Sequence, residues 1–266
     1  MYREYAPNML LAAYIETYWA TDENLLEKQT LRILPDGSIN MLFNLSEKED
    51  DIIMPFTPYI IGAKTTYSDV VHENDDKMIG VRFRPCAISA YTKVSICEFN
   101  NYRIATNLFS SLFIDFNSER LAKIDNEIGR INYIESYLLK KLSHLYDVDK
   151  QITFAAEYIQ MTKGIVPVNE LLNKVCLSQR QFERKFKELI GMTPKMFSDI
   201  TRFSATERYI RLHSNKSLFT VALDCGYYDH SHLIREFKRF GGMLPKTLMS
   251  NLYTTSHTLP YYLCVP

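Results

Sequence analysis

Residues 184–195, RKFKELIGMTPK, and residues 235–246, REFKRFGGMLPK, are two versions of one dodecapeptide. Shifting the chain by 51 positions superimposes Arg184 on Arg235, Phe186 on Phe237, Lys187 on Lys238, Gly191 on Gly242, Met192 on Met243, Pro194 on Pro245 and Lys195 on Lys246. A repeat of this kind restricts the fold. The chain must build one helical unit twice, each closing at a glycine and restarting at a proline, the residues that end and begin helices.

The residues before the first copy complete the unit. Val168, Leu171, Leu172 and Val175 recur at helical spacing and predict a two-turn helix with one buried face. Ser178 is a natural N-cap for a second helix over 179–190, whose Phe182, Phe186, Leu189 and Ile190 share a face. Two short helices around a tight turn form a helix-turn-helix. The opposite side of the second helix carries Arg180, Glu183, Arg184 and Lys187. Arginine can bond bidentately to guanine O6 and N7, and a carboxylate can accept from cytosine N4. One such helix taken alone would read as a solvated surface with ion pairs such as Glu183 with Lys187.

The repeat supplies a second instance. Residues 219–226 predict another short helix and turn, and 229–240 another second helix with Leu233, Phe237 and Phe240 inward. His230, Ser231, Arg235 and Lys238 lie outward. His230 and His232 stand two positions apart, on different sides of a helix, which argues against a shared metal. Between the units Thr193 caps a helix with Pro194 at its first position, running to about His213. At about 1.5 Å per residue it spans about 30 Å, near the roughly 34 Å between successive major-groove faces.

Charge is divided in the same way. The 266-residue chain is neutral overall, but residues 150–266 hold 16 Lys and Arg against 9 Asp and Glu, and residues 1–149 hold 15 against 22. A basic half suits a polyanion. No apolar stretch suffices for a membrane helix, and the start lacks a secretory pattern, so a cytoplasmic protein is expected. The five scattered cysteines indicate neither disulfide framework nor zinc site, and most read as buried thiols. No cofactor or metal is expected.

The first 110 residues read as mainly β. TLRILPDGSINMLFNL at 30–45 predicts strand, turn and strand, with Asp36 bonding its own turn, and VVHENDDKMIGVRFRP repeats the pattern. Leu121, Ile124, Ile128, Ile131, Leu138, Leu142 and Leu145 predict one helix over 119–146. Its stripe could join a second copy as a coiled coil or lie against the β domain. Residues 146–153 read as a linker, and the tail from 255 shows no periodicity.

Residues 165–250, notably LSQRQFERKFKELIGMTPKMF and CGYYDHSHLIREFKRFGGMLPK, resemble the double helix-turn-helix domain of the AraC/XylS family of bacterial transcription regulators. Cys176 stands where that family usually has glycine, and Leu244 where the first unit has its capping Thr193. YIETYW, LPDGSINMLFNL and GVRFRPCA resemble the β-barrel-like, cupin-related sensor domain found before such regulators, where Tyr14, Tyr18, Trp19, Phe43 and Phe83 would line a pocket or simply fill a core. The resemblance implies an α+β chain: a mainly β, barrel-like N-terminal domain with a following helix, then an all-α domain of two helix-turn-helix units joined by a long helix. The expected divisions are 1–148 for effector sensing or dimerisation, 149–254 for DNA binding and 255–266 as tail.

The implied DNA-binding residues are Arg180, Glu183, Arg184, Lys187, His230, Ser231, His232, Arg235 and Lys238, with no catalytic residues and no assigned ligand-binding ones. Double-stranded promoter DNA is the implied partner. RNA polymerase, a small-molecule effector and a homodimer through the helix 119–146 are further partners that the resemblance admits. Two other readings remain open: an enzyme delivered to DNA by its helices, and a purely dimerising N-terminal half. Against the first, residues 1–149 contain just Cys86, Cys97, His72 and His144 as soft metal ligands.

Overall fold

The computed structural model describes residues 2–23, 29–45, 54–72, 76–213, 215–251 and 262–264. Its strands are β1 (Tyr2–Tyr5), β2 (Ile15–Glu23), β3 (Gln29–Ile33), β4 (Ile39–Asn44), β5 (Pro58–Ile61), β6 (Ser68–His72), β7 (Asp76–Phe83), β8 (Arg103–Ala105) and β9 (Tyr262–Cys264). Six make an antiparallel sheet in the order β1-β2-β7-β4-β5-β8, and a second sheet has the order β6-β3-β9. The described strands form two sheets, the mainly β amino-terminal part that the sequence suggests, without closing into a barrel. The strand, turn and strand of 30–45 is present, but β3 pairs with β6 whereas β4 pairs with β5 and β7. The Asp36 turn thus carries the chain between sheets. Its carboxylate accepts from the Ser38 backbone N–H at 2.9 Å, the expected local role. The expected turn at 73–75 and the tail segments 255–261 and 265–266 lie outside the described residues.

Period-two alternation on β7 directs Ile79, Val81 and Phe83 to one face, where they join Tyr18, Met41 and Phe43 in the core. Trp19 points the other way and forms a small cluster with Leu42, so it lines nothing in common with Tyr18. Tyr18, Phe43 and Phe83 are core residues, and Tyr14 packs at its margin. Of the four cysteines with described side chains, Cys86 alone is buried; Cys176 is exposed, and Cys97 and Cys225 are intermediate.

The helices begin with α1 (Thr106–Phe109), α2 (Ser118–Ala122) and α3 (Glu127–Lys141). The single helix expected over 119–146 is thus broken. Asn126 takes an extended backbone and its side chain accepts from the Gly129 N–H at 2.7 Å, capping α3 and stopping α2 short. Ile131, Ile134 and Leu138 are buried in the chain's own core, while Ile128, placed on the stripe by the sequence, is exposed. Arg3 and Tyr5 bond Glu127, and the Asn8 N–H donates to Glu135 at 2.6 Å. The stripe lies against the β domain, so it is not the coiled-coil surface that a dimer through this helix would need.

The remaining helices are α4 (Lys150–Met161), α5 (Val168–Val175), α6 (Gln179–Ile190), α7 (Pro194–Leu212), α8 (Leu218–Asp224), α9 (His230–Glu236) and α10 (Pro245–Asn251). The expected linker is shorter than 146–153, because Asp149 already caps α4. No helix among the described residues is long and apolar enough to cross a membrane.

Strand β3 and the loop before β8 reach both copies of the repeated glycine. Asn100 donates its side-chain N–H to the Gly191 carbonyl. Arg32 donates to the carbonyls of Gly241 and Gly242 at 3.2 and 3.4 Å while holding Asp69 at 2.7 Å and stacking 4.3 Å above Tyr67. The Phe197 ring lies against Gly37, between the strands. Gly242 has φ +63, and a β-carbon there would sit 2.4 Å from the Tyr67 ring. Gly242→Ala is expected to lower unfolding free energy by about 1–3 kcal/mol through left-handed strain and this collision, as measured by urea denaturation.

Candidate nucleic-acid interface

Each helix-turn-helix follows from its caps. In the first unit, Leu171 and Val175 of α5 and Phe182, Phe186 and Ile190 of α6 are buried, binding the two helices into one core. Ser178 and Gln181 form a reciprocal capping box at the start of α6. The turn begins at Cys176, which adopts φ 52 and ψ 40, a left-handed conformation that glycine takes without a steric penalty. In the second unit Gly226 occupies the corresponding conformation at φ 74, and Asp229 caps α9 by accepting from the His232 N–H at 2.7 Å. Residues Phe237–Gly241 continue α9 as a π turn, with Leu233, Phe237 and Phe240 buried. Thr193 caps α7 ahead of Pro194, whereas α10 has Leu244 in that place.

The outward faces are charged and open. Arg180, Glu183, Arg184 and Lys187 of the first unit are exposed, as are His230, Ser231, Arg235 and Lys238 of the second. Arg184 reaches Glu188 at 3.2 Å and Glu183 accepts from Gln179 at 2.9 Å, weak exposed partnerships that a polyanion could replace. His232 differs from the rest. It is half-buried, edge-on to Tyr227, with Nε2 3.3 Å from the Glu236 carboxylate. Arg239, absent from the sequence expectation, is also exposed beside these residues, its guanidinium 3.5 Å from Met196 Sδ. Its basic character alone could have flagged it.

Behind these faces lies a feature that the sequence did not disclose. Arg202 of α7 is buried, donating to Asp199 at 2.9 Å and to Glu236 at the end of α9, with its guanidinium 4.9 Å above the Tyr227 ring. Burial favours its neutral form, but the adjacent Glu236 charge outweighs this and raises the pKa, so Arg202 is held cationic. Lys195 adds a second contact to Asp199 at 2.7 Å. At the other end of the domain Lys185 of α6 bonds Asp149 at 2.7 Å. Burial pushes the Asp149 carboxyl up, yet Lys185 and the N–H groups of residues 152 and 151 bring it below the ordinary value.

A cavity of about 20 Å³ between sheet and helices is lined by residues including Ser38, Phe83, Arg84, Gln160 and Phe197. It has room for about one water molecule. Among the described residues no group of three or more His, Cys, Asp or Glu side chains could hold a metal ion.

Two paired helices with an exposed, largely basic outer face, present twice, have the geometry of a double helix-turn-helix. Residues 171–251 match the family described as a helix-turn-helix domain, and residues 3–105 match a domain of unknown function. The chain is 28% identical over 78 residues to the HTH-type transcriptional regulator ArgR of Pseudomonas aeruginosa, covering 29% of this chain and 23% of that protein. It is 27% identical over 84 residues to the HTH-type transcriptional activator RhaS of Pectobacterium carotovorum subsp. carotovorum, covering 32% and 30% respectively. The chain therefore spans less than a third of the length of these curated relatives. A solved structure of ToxT from Vibrio cholerae aligns over 97% of this chain and 98% of its own, at 11% identity and a TM-score of 0.44. Residues 171–251 thus resemble the helix-turn-helix domains of these transcriptional regulators.

Two outcomes are expected in denaturant titrations. Arg202→Ala leaves buried Glu236 without its arginine partner and Asp199 with Lys195 alone, and should cost about 3–5 kcal/mol. Cys176→Gly relieves the left-handed backbone at an exposed site and should stabilise by about 1 kcal/mol.

Proposed function

We propose that the chain is a sequence-specific, DNA-binding transcription regulator whose two reading helices, α6 and α9, enter adjacent major grooves on one side of a promoter duplex. Arg180, Glu183, Arg184 and Lys187 would meet the first groove, and His230, Ser231, Arg235 and Lys238 the second. His232, half-turned into the protein, is the weakest member of the set. The observation that carries the reading is the repetition of one exposed basic face on two helices whose apolar faces are fully occupied. The 19-residue strut α7 between them spans about 28 Å, close to the roughly 34 Å groove repeat.

We assign residues 149–254 to DNA binding and 1–148 to sensing. Contacts from Arg32 and Asn100 to both repeated glycines support this division of labour, since a change in the sheets has a direct route to each reading unit. A small effector of the sheet domain, promoter DNA and RNA polymerase are the partners, in a cytoplasmic setting and without catalysis.

The test is binding to a duplex selected from genomic fragments. Arg184→Ala and Arg235→Ala should each lose about 1–3 kcal/mol of specific affinity in filter binding and relax preference at the base each one reads. Log affinity should fall linearly with log salt. Both variants binding the selected duplex like the parent would remove α6 and α9 as the reading elements.

A further inference from the structure

The two units are not identical copies at the turn. Helices α5 and α8 correspond at an offset of 50, pairing buried Leu171 with Val221 and left-handed Cys176 with left-handed Gly226. Their second helices correspond at 51, pairing the N-caps Ser178 and Asp229. One residue has therefore been added to the second turn. The first unit has Leu177 alone between left-handed residue and cap; the second has Tyr227 and Tyr228.

Burial identifies the added one. Tyr227 is 3% exposed, fills the place of Leu177 and reaches Thr206, so it serves the core. Tyr228 is 91% exposed and makes no hydrogen bond with the described residues. It directly precedes the cap of α9, two and three positions before the outward His230 and Ser231. A residue just outside the start of a reading helix stands at the rim of the groove that the helix enters, where the sugar-phosphate strand runs. The acidic neighbour there, Asp229, is engaged by the His232 N–H.

We infer that Tyr228 is a DNA-anchoring residue peculiar to the second unit, its phenolic O–H donating to a backbone phosphate oxygen beside the groove read by α9. The assignment rests on the DNA-binding reading above. It makes the two units unequal: the second carries a neutral, sequence-independent anchor that the first lacks.

The test uses the full chain with Tyr228→Phe and Tyr228→Ala, the selected genomic duplex, a random duplex, and a set of selected duplexes each carrying one methylphosphonate. A lost hydrogen bond to a charged acceptor predicts about ten-fold weaker binding for Tyr228→Phe, and nearly the same for Tyr228→Ala. The loss should be alike on selected and random DNA, with an unchanged salt slope because no charge is removed. At one methylphosphonate position the parent should fall to the level of Tyr228→Phe, which should itself be indifferent there. Tyr228→Phe binding like the parent, or no position erasing the difference, overturns the assignment while leaving the DNA-binding reading intact. A parent chain that retains no duplex overturns both.

Discussion

The buried guanidinium of Arg202 is the interaction on which the geometry of the helical domain depends. It sits on the strut α7, is neutralised from its own helix by Asp199, and is met across the core by Glu236 from the end of α9. A cation excluded from water tolerates few arrangements, because any displacement exposes an unpaired charge to a medium of low polarity. Hydrophobic contacts alone, such as Phe203 against Phe237 and Phe240, would permit small rotations of the second unit. The ionic contact narrows them. Tyr227 beneath the guanidinium and His232 against Glu236 extend the same network to the beginning of α9, so that helix is indexed to the strut along its length.

The first unit is fixed by different means. Its capping box and the left-handed Cys176 set the turn, and the Lys185 to Asp149 pair ties α6 to the start of α4. One repeat is therefore located by a buried charge and the other mainly by caps and a partly exposed pair. The two units share the Phe positions and the Gly-x-x-Pro closure, and differ in the ionic contacts that fix α6 and α9 within the helical domain.

Much of the helical half was legible in the residues because its punctuation is local. Ser178, Thr193 and Pro194 act on the few N–H groups next to them, and the observed starts of α6 and α7 coincide with those signals. The exposed faces of α6 and α9 were equally readable from the spacing of Phe182 with Phe186 and of Leu233 with Phe237. Long-range partners were not. Nothing near Arg202 in the chain announces Glu236, 34 positions away. The interruption at Asn126 was masked by apolar residues that keep a helical spacing across it, and the pairing of β3 with β6 depends on which sheet each strand joins. Turn chemistry located the bend at Asp36 without saying where the next strand goes.

The grip of the sheet domain on Gly191 and on Gly241 and Gly242 makes the molecule resemble a pair of calipers whose jaws are set from behind. Neither jaw is gripped through its working edge; each is held at the heel, where its helix ends. A displacement of strand β3, which bears Arg32, or of the loop bearing Asn100 would change the gap between the jaws without touching an outward residue of α6 or α9. Under the proposed function, such a displacement would reset the spacing of half-sites that the two helices can meet while leaving the chemistry of their outward faces the same.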